Sequence, residues 1–431
     1  MNIKNKIKNE ILSKCVPENK RKIGVEIEGF YYNNFFNRLP VDKKDAFSGV
    51  NLLKDIKSKN NNAYSYSLEP GGQLEWASSP SLSLWTIQEE YNQHKKIEDK
   101  LCKNNNLNRL YLSLEPFCSP DKIKLINSTK YRLMHDLFLK AADLGPWMMR
   151  NTTSVQLNVD YSSEKDANEL AFIADSIQPL LSILFSNSAF MKGGPVGEAN
   201  MRWTIWENTD PARCGSLFDH GIKTLETIVD DYANWIKNLK TIFKYKPNGG
   251  AALFKGTMEE MILSDKAQLS YHILSALHQS FTHVRFKKFL EIRAIDRPSK
   301  GQELAPAAFV AGLITSNKVK NKLLDVVSNW STAERINLIQ TANSISFSNK
   351  GPERKTVGDW LSFLSELCLE GLDDRENIYK IKNERPLIEP ILNDLLINGP
   401  QTLQLQKKFK HSGLSLHNFL VESYLDSNIT T

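Results

Sequence analysis

Lys22-Ile23-Gly24-Val25-Glu26-Ile27-Glu28-Gly29-Phe30-Tyr31 alternates, with Ile23, Val25 and Ile27 on one parity and Glu26 and Glu28 on the other. A period of two is the pattern of a β-strand with one face on a core. It places two carboxylates side by side on the opposite face. Like charges held so close are unfavourable unless a cation lies beside them, and rigidly held carboxylate oxygens suit magnesium. A strand facing solvent carries paired glutamates equally well.

The next segments extend the pattern. Leu68-Glu69-Pro70-Gly71-Gly72-Gln73-Leu74-Glu75-Trp76 reads as two strands around a Pro-Gly-Gly turn, with Gln73 and Glu75 pointing one way and Leu74 and Trp76 the other. Ser154-Val155-Gln156-Leu157-Asn158-Val159-Asp160-Tyr161 puts Ser154, Gln156, Asn158 and Asp160 on one face, just after Met148-Met149-Arg150. A strand over 200–206 would place Arg202, Thr204 and Trp206 together. The stretch 282–295, read as one strand, collects His283, Arg285, Lys287, Glu291 and Arg293 on one parity. Guanidinium groups offer planar, two-pronged recognition of phosphates and carboxylates. Acidic residues thus gather on the early strands and basic ones on the late strands. Brought onto one concave surface, they are the equipment for phosphoryl transfer to a carboxylate.

Strands are expected at 22–31, 65–69, 73–78, 107–115, 152–161, 200–206 and 282–295. Helices are expected at 85–103, 129–142, 164–185 and 221–243, with Pro179 kinking or dividing the third. Beyond Pro306 the pattern is helical throughout, at 307–327, 332–342, 356–369, 388–397 and 414–426. The fold class expected is α+β: a catalytic body of strands and helices with a helical C-terminal region. The division expected is a basic arm or helix over 1–21, a catalytic body over 22–315 and the helical region over 316–431.

Composition bounds the function. The 431 residues are 41% hydrophobic and 24% charged, which describes a globular protein with a large core. The net charge of +6 is modest and concentrated near the N-terminus, so no nucleic-acid partner is expected. No apolar stretch approaches a membrane span and no signal-peptide pattern opens the chain, which points to the cytoplasm. Five scattered cysteines without a Cys-x-x-Cys pair argue against a disulfide framework or a zinc site. There is no Walker A loop, Gly-x-Gly-x-x-Gly, serine elbow or His-Glu-x-x-His, so a nucleotide would be held by the sheet itself.

Five blocks in order resemble the glutamate–cysteine ligase family of plant and bacterial type, within the glutamine-synthetase-like superfamily. They are Gly24-Val25-Glu26-Ile27-Glu28; Ser67 to Glu75; Met148-Met149-Arg150 with Val155 to Glu164; Trp206 with Asp210-Pro211-Ala212-Arg213-Cys214-Gly215; and Val284-Arg285 to Arg293 with Asp296. The resemblance implies a curved antiparallel sheet forming a cup-shaped active site, flanked by helices, and a reaction in which ATP phosphorylates the γ-carboxylate of L-glutamate. L-Cysteine, or another amine, then displaces phosphate, the first step of glutathione-type thiol synthesis. It implies magnesium, or manganese, on Glu26, Glu28, Glu75 and Glu291. Gln156 and Asn158 would lie beside the phosphates, Arg285 and Arg293 would serve the nucleotide phosphates and the transferring group, and Arg150 and Arg202 the carboxylates of glutamate, with Trp206 walling the amine pocket. His283 stands where such proteins commonly carry a glutamate, and Trp76 where a small or aliphatic residue is usual, so the metal or acceptor site is a place to expect change. A ligase using a different amine shares every one of these features, and a catalytically silent binding protein is the reading from another class.

Overall fold

In the computed structural model, which describes residues 2–42, 46–60, 64–246 and 249–424, β1 (Ile23–Asn33) is the middle of a seven-stranded antiparallel sheet. The other strands are β2 (Ser65–Leu68), β3 (Leu74–Ala77), β4 (Leu107–Leu110), β5 (Ser154–Val159), β6 (Val284–Phe286) and β7 (Leu290–Asp296). They lie in the order β6-β7-β5-β1-β3-β2, with β4 pairing the far end of β1. Register sets the polar face: Glu28 pairs with Glu75 on one side of β1, and Glu26 with Gln156 on the other. Directly opposed residues share a face, so the carboxylates and amides of three strands converge.

Val25, Ile27, Leu74, Trp76, Val155 and Leu157 point to the other face, into a core that runs from Ile3 to Leu395. The helix Glu164–Leu184 packs there and is buried on nearly every side from Asp166 onward, as a central helix is. It passes through Pro179 undivided, because packing on all sides outweighs the one backbone hydrogen bond the proline forfeits. The basic N-terminal segment forms the helix Ile3–Ile11, which buries Ile3, Ile7 and Ile11 while Lys4 and Lys8 pair with Asp230.

Several expectations are corrected. Residues 200–206 are not a strand but the helix Met201–Glu207; so short an aromatic and β-branched run is ambiguous in period, and here it buries Arg202, Trp203 and Ile205 together. The expected long strand 282–295 is a hairpin, β6 and β7, preceded by a two-residue strand, Phe281–Thr282, that pairs with Cys214–Gly215. Arg285 and Glu291 remain on one face because they are register partners across it. The helix expected at 221–243 shrinks to Ile228–Asn238, and 107–115 to Leu107–Leu110. The run 307–327 divides into Ala305–Ile314 and Asn317–Ser328, where the Ser316 side chain caps the second helix by accepting from the Val319 N–H. The helical region also contains a helix at Gln401–Ser412, outside the individual ranges expected. The final helix is Leu416–Tyr424; Leu425 and Asp426, the end of the expected one, lie outside the described residues.

The helical C-terminal region is clamped to the body by a close crossing of Ala305–Ile314 with Val357–Tyr379. A Cβ on Gly371 would stand 1.8 Å from the Gly312 carbonyl oxygen, so only glycine permits the contact. No helix among the described residues is long and apolar enough to cross a membrane. All five cysteines are free thiols.

Candidate active site

A cavity of about 250 Å³ opens over the polar face of the sheet. Its floor is made by Glu26, Glu28, Glu75, Gln156, Arg285, Glu291 and Arg293, and its wall by Lys130, Tyr131 and Met134 of the helix Thr129–Ala141, with Met148, Met149, Trp206 and Phe243. At one end Glu28, Glu69 and Glu75 offer carboxylate oxygens within 4.8 Å of one another. The turn between β2 and β3 delivers Glu69. Its N–H donates to the Gln73 carbonyl at 2.9 Å, Gly72 adopts the left-handed φ of +81°, and Gly71 lies against the Arg150 backbone, where a Cβ would fall 2.6 Å from the Arg150 Cα.

Glu28 is held by the Ser154 backbone N–H at 2.7 Å and by Gln156 Nε2 at 2.9 Å, and Ser67 Oγ donates to Glu75 at 2.7 Å. Burial, then the neighbouring Glu75 charge, pushes the Glu28 pKa up to about 7 against the pull of Arg202 and Arg293. Burial and the Glu28 charge push Glu69 up to about 7 as well, and burial with Glu26 and Glu69 raises Glu75 well above its ordinary value. Three carboxylates this close cannot all ionise unaided. That is the demand a hard divalent cation with oxygen ligands satisfies, so the donor set fits magnesium or manganese.

The other end is cationic. Glu291 is fully buried; burial alone would raise its pKa, but Arg285, Lys287 and Arg293 hold it well below the carboxylate range. Its Oε2 accepts from Arg285 Nε at 2.6 Å and Arg293 Nη1 at 2.8 Å, and its Oε1 pairs with Lys287 Nζ at 2.6 Å. Arg293 Nη1 also donates to Gln156 Oε1 at 2.6 Å. A continuous chain thus runs Glu28–Gln156–Arg293–Glu291–Arg285 across the cavity floor. Glu26 lies beside it, accepting from Asn158 Nδ2 at 2.8 Å.

Next to the cavity is a recess of about 10 Å³ lined by Arg202, Trp203, Trp206 and Arg293. The Nε atoms of both arginines and both indole N–H groups are buried there without a partner among the described residues. Four buried donors without a partner leave unmet hydrogen-bonding capacity beside the cavity. Arg202 and Arg293 also lie 5.6 and 5.5 Å from the Trp206 ring centroid.

Of the residues singled out from sequence, Glu26, Glu28, Glu75, Glu291, Gln156, Arg285, Arg293 and Trp206 line the cavity, Asn158 bonds to Glu26, and Arg202 lines the recess. Arg150 is buried behind the Pro-Gly-Gly turn and lines neither space. His283 borders the recess, stacked on Trp203 at 4.2 Å with Nε2 2.7 Å from Glu207. Trp76 sits in the core against Tyr91 and His94, on the face away from the cavity. Two acidic or basic lining residues, Glu69 and Lys130, are not marked as site residues by the sequence. Glu69 was hidden because the turn interrupts strand parity, although its acidic chemistry before Pro-Gly-Gly was a signal. Lys130 stands in a helix with nothing local to mark it.

The sequence matches the family model for glutamate-cysteine ligase family 2 (GCS2) over residues 22–355. The chain belongs to this family. The match runs past Ser316 into the helical region, where no motif was evident. The chain is similar to the chloroplastic glutamate–cysteine ligase of Brassica juncea, at 26% identity over 435 residues, covering 90% of this chain and 82% of that one. It is 28% identical over 345 residues to the chloroplastic glutamate–cysteine ligase of Arabidopsis thaliana, covering 75% of this chain and 65% of that one. Its fold is that of the glutamate–cysteine ligase of Francisella tularensis, whose crystal structure is a complex with AMP. The TM-score is 0.59 at 13% identity, over 94% of this chain and 87% of the other.

Proposed function

We propose that this protein is an ATP-dependent ligase that activates the γ-carboxylate of glutamate and joins it to an amine, cysteine first among the candidates. The observation that carries the reading is the carboxylate triad Glu28, Glu69 and Glu75 facing the Arg285–Glu291–Arg293 chain across one cavity. A divalent cation held by Glu28, Glu69 and Glu75 would neutralise phosphate charge. Arg285 and Arg293 are suited to hold phosphate oxygens, with Gln156 and Asn158 beside them, while Arg202 with the indoles of Trp203 and Trp206 offers donors to a substrate carboxylate.

The chemistry has two steps. A γ-carboxylate oxygen attacks the γ-phosphorus of ATP and the bond to the bridging oxygen breaks, its electron pair leaving on ADP. The amine nitrogen then attacks the acyl carbon, the carbon–oxygen bond breaks, phosphate departs and the nitrogen loses its proton. Fixed dipoles and cations lower both barriers by stabilising charge as it moves. The test is an incubation with ATP, magnesium, glutamate and a panel of amines, following ADP release and γ-glutamyl product by mass spectrometry. Formation of γ-glutamylcysteine is the expected result. Product with a different amine alone would remove cysteine, and no glutamate-dependent ADP release with any amine would remove the ligase.

A further inference from the structure

Among the described residues four lysine and arginine side chains line the cavity, and three of them, Arg285, Lys287 and Arg293, converge on Glu291. Arg285 is pinned further by the Ser280 carbonyl at 2.8 Å, and Arg293 by Gln156 at 2.6 Å. The fourth, Lys130, is different. Half-buried on the helical wall, it has no hydrogen bond or ion pair with any described residue. Its Nζ lies 5.1 Å from the Tyr131 ring centroid and 5.9 Å from that of Phe243. The aromatic faces offset part of the lost hydration of an ammonium without giving it an anion. It shares the cavity lining with Glu69 of the carboxylate triad, which attracts it, and with Arg285 of the arginine end, which repels it.

We propose that Lys130 is a catalytic residue that binds the non-bridging oxygens of the phosphoryl group in flight, first as the γ-phosphate of ATP and then in the acyl phosphate. This rests on the ligase reading above. Arginines whose forks are already oriented by Glu291, Ser280 and Gln156 suit phosphates that stay in place. The transferring group does not stay: its bond to the ADP oxygen breaks as its bond to the carboxylate oxygen forms, and its negative charge travels with it. A cation that follows needs a flexible stem, no competing partner and tolerance of any approach angle. A lysine point charge provides these and a committed guanidinium does not. The same positive charge also screens the carboxylate nucleophile from the phosphate it must approach.

The test is equilibrium binding of ATP, ADP and AMP, each with magnesium and without glutamate, to the wild type, Lys130→Met, Lys130→Gln and Lys130→Arg. Loss of one charge-assisted contact to the γ-phosphate should weaken ATP by about 10- to 100-fold in the Met and Gln variants and leave ADP and AMP within about twofold. Glutamate-dependent ADP release should fall by about 100-fold or more and recover substantially in Lys130→Arg, which restores the charge. Melting curves matching the wild type tie the loss to the charge. Unchanged ATP affinity and turnover in both neutral variants, or an equal loss for ATP and ADP, would overturn the assignment while leaving the ligase intact. A wild type that binds none of the three nucleotides would overturn the ligase reading and Lys130 with it.

Discussion

Replacing Glu28 by glutamine separates the electrostatic role of the carboxylate triad from its packing. Glu28 is 7% exposed, and burial with the Glu75 charge raises its pKa to about 7 from an ordinary 4.5. Between those values the native state keeps a proton that the unfolded chain gives up, so the stability of the metal-free protein falls as pH rises through this window. The cost is complete above about pH 7. Two and a half units at about 1.36 kcal/mol each come to on the order of 3 kcal/mol, an upper figure because Glu69 and Glu75 titrate with it. Glutamine fills the same volume and carries no charge, although its NH₂ meets the Ser154 N–H or Gln156 Nε2 where Glu28 offers two acceptors, at a cost of about 1 kcal/mol. Without metal at about pH 8, Glu28→Gln should therefore be more stable than the wild type by roughly 1–2 kcal/mol, and the difference should vanish or reverse near pH 5. Magnesium at a hundred times its Kd should add about 2.7 kcal/mol to the wild type and almost nothing to the variant. Urea melts at both pH values, with and without magnesium, provide the measurement, and glutamate-dependent ADP release should be abolished in parallel. A variant no more stable than the wild type at pH 8, or equally stabilised by magnesium, would refute the reasoning.

Other outcomes follow from single contacts. Arg293→Lys keeps the charge but loses the planar guanidinium whose Nη1 donates to both Gln156 and Glu291, and kcat/KM for ATP should drop by about 10- to 100-fold in a coupled ADP assay. Gly71→Ala would place a Cβ 2.6 Å from the Arg150 Cα, and the shift of the turn should lower stability by about 1–3 kcal/mol in thermal melts while loosening magnesium binding through Glu69. His94, stacked on Trp76 and accepting or donating through Nδ1 to Tyr66, has its pKa pushed down to about 4 by burial. The unfolded chain takes its proton first, so stability should fall as pH drops from about 6.5 to about 4, and a His94→Gln variant should show a flatter profile over that range.

How much of this was legible in sequence depended on whether a residue's meaning was local. Strand parity is local: Glu26 and Glu28 share a face because alternation leaves no other choice, and the same logic holds for Gln156 and Asn158. The hairpin in 282–295 shows the tolerance of that logic, since Arg285 and Glu291 are an even number of residues apart and stay together whether the run is straight or folded back. Helix Met201–Glu207 shows its limit. Arg202 and Trp206 were rightly paired for the wrong reason, because positions four apart share a helical face as positions two and four apart share a strand face.

Alternation and ordered motifs in the chain itself determined the antiparallel sheet, its acidic and basic faces and the family to which the protein belongs. Only the tertiary structure decided which polar groups meet. It added Glu69 to Glu28 and Glu75 through a glycine turn, committed Glu291 to three cations, withdrew Arg150 from the cavity, and left Lys130 on a helical wall without a partner among the described residues. The reason is physical: a side chain's face is set by its own backbone, whereas its partner, its burial and hence its charge state are set by segments far away in sequence.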